Sequence, residues 1–173
     1  MPSIEFSPNY LAPEGAATRS IAELAAYPAV SGEVLCRHAR LLGCAGEMFA
    51  DSQFMQFGIH LLPMPEGLPS DRLFLLPGTV LSGQIKIQSR QKGDAFVFNL
   101  QKGYRGSPAG CRDYEEHDFD LAVLVILPLG VLKVVHRPGN RVRVPVAEIP
   151  DLRANPMASF WEAVRAHAAS RNS

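Results

Sequence analysis

The stretch LAVLVILPLGVLKVV, from Leu121 to Val135, constrains this chain more than any other. It is almost wholly apolar and must lie inside the protein. Pro128 and Gly130 interrupt it, and it is too short and too broken to span a bilayer. It reads instead as a buried strand, a turn at Pro128-Leu129-Gly130, and a second strand. A strand that is apolar on both faces needs a layer of structure on each side.

The flanking segments supply those layers. TRSIAELAAYPAV predicts a short helix, capped by Thr18 or Ser20 and ended by Pro28. From Ser31 to about Phe57, Val34, Leu35, Leu41, Leu42, Ala45, Met48, Phe49 and Phe54 recur at helical spacing. Gly43 and Gly46 weaken the middle of that run and predict a split into two helices. Past Gly58 the pattern changes to short apolar runs between Pro and Gly. It predicts strands near 59–62, 71–76, 82–88 and 94–100, with NRVRVPVAEI as a later edge strand. NPMASFWEAVRAHAAS closes the chain as a helix, with Asn155 as its cap and Pro156 in its first turn. Helices, then strands, then a helix define an α/β class: a central mixed β-sheet flanked by helices. Residues 1–45 read as an arm and helical extension, and residues 46–173 as the α/β unit, the two forming one compact body.

Composition narrows the function. With 17 basic and 17 acidic residues among 173, the chain is no general polycation, so a nucleic-acid contact needs a local basic patch. Three cysteines and five histidines show no paired metal-ligand spacing. Sparse, unpaired Cys36, Cys44 and Cys111 point to reduced thiols and a cytoplasmic protein. The N-terminus lacks the basic and apolar blocks of a signal peptide, and no membrane association is expected. The helices around AYPAVS do not suit a helix-turn-helix DNA reader. Their turn carries Pro28 in place of a glycine, and the second helix has little base-reading polarity.

The candidate chemistry lies in SGQIKIQSRQKG, Ser82 to Gly93. The alternation of Gln84-Ile85-Lys86-Ile87 puts Ile85 and Ile87 on one face of a strand and Gln84 and Lys86 on the other. A hairpin back to Asp71 would bring that carboxylate beside Gln84 and Lys86, near one edge of the sheet. Glu47, at a helical turn, is a second carboxylate. Oxygen donors and a lysine around one point suit a hard cation such as Mg²⁺ (or Mn²⁺).

Taken in order, GEMFADSQFMQFGIHLLP, PSDRLF, GQIKIQS and YEEHDFDLAVLV resemble the PD-(D/E)XK nuclease superfamily, the restriction-endonuclease-like and Holliday-junction-resolvase-like fold. The resemblance covers Gly46 to Val125, a little under half the chain. It implies that Asp71 is the metal-binding aspartate, Lys86 the catalytic lysine and Glu47 the auxiliary helix carboxylate. The carbonyl of Ile85 would be a further metal ligand, and Gln88 and Tyr114 would touch substrate. Gln84 stands where the superfamily usually has Glu or Asp. It retains an oxygen ligand but brings no negative charge, which lowers the expected metal affinity.

Charge patterning adds a separate indication. Between Gln84 and Arg112 the cations are Lys86, Arg90, Lys92, Lys102, Arg105 and Arg112, against the single acid Asp94. Glycines at 93, 103, 106 and 110 loosen the backbone there, as a phosphate-contacting segment would require. Five acids follow between Asp113 and Asp120, so neutrality overall is compatible with one basic face. The function expected from the resemblance is metal-dependent hydrolysis of DNA phosphodiester bonds, by a homodimer if both strands are cut. The alternative is a catalytically degenerate module of the same fold that binds nucleic acid or a protein partner.

Overall fold

The computed structural model describes residues 16–103, 110–115 and 117–171. Residues 1–15 of the expected arm, together with Tyr104, Arg105, Gly106 and Glu116, lie outside the described residues.

Three helices come first: α1 (Ala16–Leu24), α2 (Gly32–Arg37) and α3 (Ala39–Gln56). α1 begins ahead of both caps expected for it. Ser31 caps α2, its hydroxyl accepting from the Val34 amide at 3.3 Å. The expected break does occur, but at His38 and not at the glycines. Gly46 lies inside α3 because the helix packs hard on the sheet there. A Cβ at that position would come within 2.2 Å of Ile87 Cγ1. α3 also runs unbroken through the 45/46 junction expected between extension and α/β unit.

The strands are β1 (His60–Pro63), β2 (Arg72–Leu76), β3 (Thr79–Gln88), β4 (Gln91–Lys92), β5 (Ala95–Asn99), β6 (Gln101–Lys102), β7 (Arg112–Asp113), β8 (Leu121–Ile126), β9 (Val131–His136) and β10 (Arg141–Pro145). Two helices end the chain, α4 (Ile149–Ala154) and α5 (Ala158–Arg171). Asn155 closes α4 and does not cap α5, and α4 itself was not foreseen. A helix of six residues is too short to show a period.

The main sheet has five strands in the order β1-β2-β3-β8-β9. β3 and β8 run parallel, and the other neighbours antiparallel, so the sheet is mixed. All six residues of β8 are buried, as their unbroken apolarity demands. Gly130, at φ 58°, ends the 3₁₀ turn from Leu127 to Leu129 and starts β9. β3 is the central strand, but β2 pairs with it only as far as Gly83, so Gln84 and Lys86 lie on an open edge of the sheet on that side.

One face is covered by α3 and α5. Phe54, Phe74 and Phe160 meet there with ring centroids 4.9–5.6 Å apart, all fully buried. Each such side chain contributes about 1.5–3 kcal/mol by leaving water. The other face is covered by α4 and by a smaller sheet in the order β10-β5-β4. Its inner residues Phe96, Phe98 and Val144 pack on Ala122, Leu124 and Ile126. Of NRVRVPVAEI only Arg141–Pro145 form an edge strand, β10, and it belongs to this second sheet; Val146–Glu148 form a 3₁₀ turn leading into α4. Gln84, Lys86 and Gln88 pair with Ala122, Leu124 and Ile126 and share that covered face. It is therefore not simply wet, and Gln84 is only 7% exposed.

Candidate active site

The site forms where β2 and β3 part. Their pairing stops at Arg72 opposite Gly83, with one more bond from the Asp71 amide to the Gly83 carbonyl at 2.8 Å. Beyond it the Ile85 amide has no strand partner on that side, and Asp71 Oδ2 accepts it at 2.7 Å. The same oxygen accepts from Gln84 Nε2, which also donates to the Ile85 carbonyl at 3.2 Å. Asp71, Gln84 and Ile85 thus form one hydrogen-bonded knot.

Lys86, two residues on, donates to the Tyr114 hydroxyl at 2.9 Å and to the Gln101 carbonyl at 3.3 Å. Its ammonium lies 5.1 Å from the centre of the Tyr114 ring, and that ring packs edge-on against Phe119. Burial lowers the Lys86 pKa, while the charge on Asp71 pulls it back up. Burial raises the Asp71 carboxyl, against the opposing pull of the Ile85 amide, Lys86 and Arg72. Tyr114 is pushed well above the ordinary phenol range, by burial first and then by Asp71 and Asp118.

Glu47 approaches from α3. Burial raises its pKa and the neighbouring charge of Asp71 raises it further. Arg72 holds it in place. Its guanidinium grips Asp51 through two bonds of 2.8 Å, reaches Glu47 at 3.3 Å, and donates to the Asp71 carbonyl at 2.8 Å. This clamp joins α3 to the start of β2 and was missed from the sequence. The available sign was the pair Glu47 and Asp51, four apart on one helix face, with an arginine directly after Asp71.

The outlying candidates divide. Gln88 donates to the Val97 carbonyl at 2.8 Å and accepts from the Ser89 and Arg90 amides, so both ends of its side chain hold β3 to its surroundings. Lys102 pairs with Asp118 and lies 5.5 Å from the Tyr114 ring centre. Arg90 donates to the Val30 carbonyl at 3.2 Å. Lys92 and Arg112 are exposed on β4 and β7.

Among the described residues no group of three or more His, Cys, Asp or Glu is arranged to hold a metal. The oxygen set here is different in kind: two carboxylates, one amide and one main-chain carbonyl. It fits a hard divalent cation. The carboxylates of Asp71 and Glu47 each sit in a setting that disfavours their charge, with Asp71 adding to the cost at Glu47. The Gln84 NH₂ bridges Asp71 and the Ile85 carbonyl, so two oxygens already converge on one electropositive group. Rotating that amide would present Oε1 to the same point.

With its mixed five-stranded sheet and flanking helices, the chain has the restriction-endonuclease-like fold. Among solved structures it is similar to the bacterial homing endonuclease I-Ssp6803I, with a TM-score of 0.57 and 20% identity over 78% of this chain and 97% of that one. No protein-family profile matches the sequence. No curated protein sequence matches it either.

Proposed function

We propose that the protein is a metal-dependent DNA endonuclease whose centre is formed by Asp71, Gln84, Ile85, Lys86 and Glu47. The observation that carries this reading is the convergence of a half-buried carboxylate and a half-buried ammonium at the parting of β2 and β3. The resemblance of the fold to a homing endonuclease supports it. Asp71, the Ile85 carbonyl and Gln84 Oε1 would hold Mg²⁺ or Mn²⁺, with Glu47 as a further carboxylate. When bound, such an ion polarises a phosphate oxygen and lowers the pKa of a bound water. Lys86 would meet the scissile phosphate from β3. Its lowered pKa suits it to exchange a proton with the attacking water, and Tyr114 fixes its position. Arg72 keeps Glu47 and Asp71 in register. Lys92, Lys102, Arg105 and Arg112, with Arg90, belong to the surface that meets the DNA backbone.

The protein acts as a homodimer in this reading. Leu62, Leu75 and Val80 are 37–55% exposed and, by register, share one face of β1, β2 and β3 beyond the small sheet. Residues 1–45 are, in this reading, an arm and helical extension to one compact unit. The three cysteines are exposed and free, as in a reducing cytoplasm, and no helix among the described residues is long and apolar enough to cross a membrane.

Supercoiled plasmid incubated with protein and Mg²⁺ should be nicked or linearised. Lys86→Ala and Asp71→Ala should each lower the rate at least a hundredfold while far-UV circular dichroism stays unchanged. A wild-type protein that binds Mg²⁺ but leaves every plasmid form intact would establish the catalytically degenerate module.

A further inference from the structure

The small sheet has an outer face that the catalytic reading leaves unused. In β5 and β10, Phe96, Phe98 and Val144 point into the core. Of the alternate residues, Ala95 is buried and Val97 half-buried, and those towards the Asn99–Arg141 end point out. Register sets Arg141 directly opposite Asn99 and Arg143 directly opposite Val97, and Arg141, Asn99 and Arg143 are exposed. A shallow groove of about 360 Å³ runs across this face, bordered by Asn99, Arg141, Lys92, Arg90 and Gln88. No acidic residue lines it. The nearby acid, Asp94, is paired with Arg143.

The groove leads to the candidate active site. A second cleft, bounded by β3, α2 and α3, contains Lys86 and meets the first at Gln88 and Arg90. The Gln88 side chain ties β3 to β5 at the Val97 carbonyl. Lys86 and Gln88 are two residues apart, about 7 Å along the strand, or roughly two base-pair steps.

We propose that the outer face of the β5–β10 ribbon enters the major groove of a B-form DNA duplex and reads base edges there. Arg141 and Asn99 are the reading pair, and Arg90 and Lys92 contact the flanking phosphates. This rests on the proposed DNA reading of the same protein and adds how sequence is recognised. Three physical points support it. A two-stranded antiparallel ribbon fits the major groove, whose width is about 12 Å. Arginine matches the two acceptors of guanine, and asparagine the donor and acceptor of adenine. Directly opposed residues on such a ribbon have Cα atoms about 4.5–5.5 Å apart, about one and a half base-pair steps of ~3.4 Å, so their side chains reach adjacent base pairs. The deep, narrow major groove of A-form RNA would not admit the ribbon, so the occupant is duplex DNA.

The test uses the full chain in EDTA, which separates binding from cleavage. A pool of duplexes with a randomised core is bound, recovered and sequenced. The enriched duplex and a scrambled one are then titrated by fluorescence anisotropy at several salt concentrations. The wild type should enrich a guanine next to an adenine. Arg141→Lys keeps the charge but loses the planar fork, and should abolish the guanine preference. Asn99→Ala should abolish the adenine preference. Each should weaken the enriched duplex about tenfold or more and the scrambled one by less than about twofold, with the salt slope unchanged. Lys92→Ala should weaken both duplexes alike and reduce the slope by about one. The proposal is overturned if the wild type enriches no sequence, or if the Arg141 and Asn99 variants keep its preference. It is equally overturned if they weaken both duplexes to the same degree. Selection through the ribbon without cleavage in Mg²⁺ would sink the hydrolytic reading alone. Cleavage with an unchanged preference in both variants would sink the ribbon alone.

Discussion

Gln84 is the residue at which this chain departs from the usual nuclease pattern. Its NH₂ group sits between the Asp71 carboxylate and the Ile85 carbonyl, where a positive charge would also be welcome. The apoprotein therefore satisfies its own oxygens with a neutral donor. Gln84→Glu removes that donor and places a second carboxylate against Asp71. Asp71 already has a carboxyl pKa raised by burial. A carboxyl whose folded pKa exceeds its unfolded value holds its proton more tightly when folded. Ionising it costs stability, and the cost grows as pH rises through the folded pKa. The variant should melt several degrees below wild type at pH 8 in EDTA, and the gap should close as pH falls towards 5. Added Mg²⁺ should raise its melting temperature more than it raises that of wild type, because a carboxylate attracts the ion where an amide does not. Differential scanning fluorimetry across pH, with and without Mg²⁺, reads all of these effects. A Gln84→Glu protein no more responsive to Mg²⁺ than wild type would remove the ion from this knot.

At the scale of elements, the site depends on how closely α3 lies on β3. Gly46 permits that approach, and Glu47, the next residue, is carried with it. Gly46→Ala would force the helix away from Ile87 or displace the isoleucine. The expected cost is about 1–3 kcal/mol, as for other overpacked contacts, and a fall in melting temperature of several degrees. Alanine is the better helix former, so a measured rise would show that the contact is looser than the structure has it. What could be read from the sequence follows the same division. β3, β8 and β9 were legible because period-two alternation and unbroken apolarity are local signals. The role of Gly46 was not, because the deciding atom belongs to Ile87, forty-one residues away. Asn155 was misassigned since the dipeptide Asn-Pro suits the end of one helix as well as the start of another. Arg72 was passed over because its meaning lies in Asp51 and Glu47, on another element.

For the molecule as a whole, the order of elements explains why the knot of Asp71, Gln84 and Lys86 was anticipated as a group while its surroundings were not. A hairpin brings Asp71 to Gln84 from close in sequence. Tyr114, named from the resemblance as a substrate contact, lies twenty-eight residues beyond Lys86, and no local pattern announces that it accepts from the Lys86 ammonium. The same view gives an expectation for assembly. If Leu62, Leu75 and Val80 are covered by a second copy, Val80→Glu should convert a dimer to a monomer in sedimentation velocity at micromolar concentration. The melt of the variant monomer should stay close to that of wild type, since Val80 is 55% exposed. A wild type that sediments as a monomer would refute the dimer.

The parallel pairing of β3 with β8 has a consequence for how the protein comes into being. From Gln84 to Gln88, the only strand beside β3 among the described residues is β8, which follows thirty-two residues after β3 ends. A chain still emerging from synthesis carries every proposed cutting residue well before it carries that neighbour. Until Ile126 has been added, the stretch of β3 from Gln84 to Gln88 lacks its ladder partner, and the site waits on β8 to be completed.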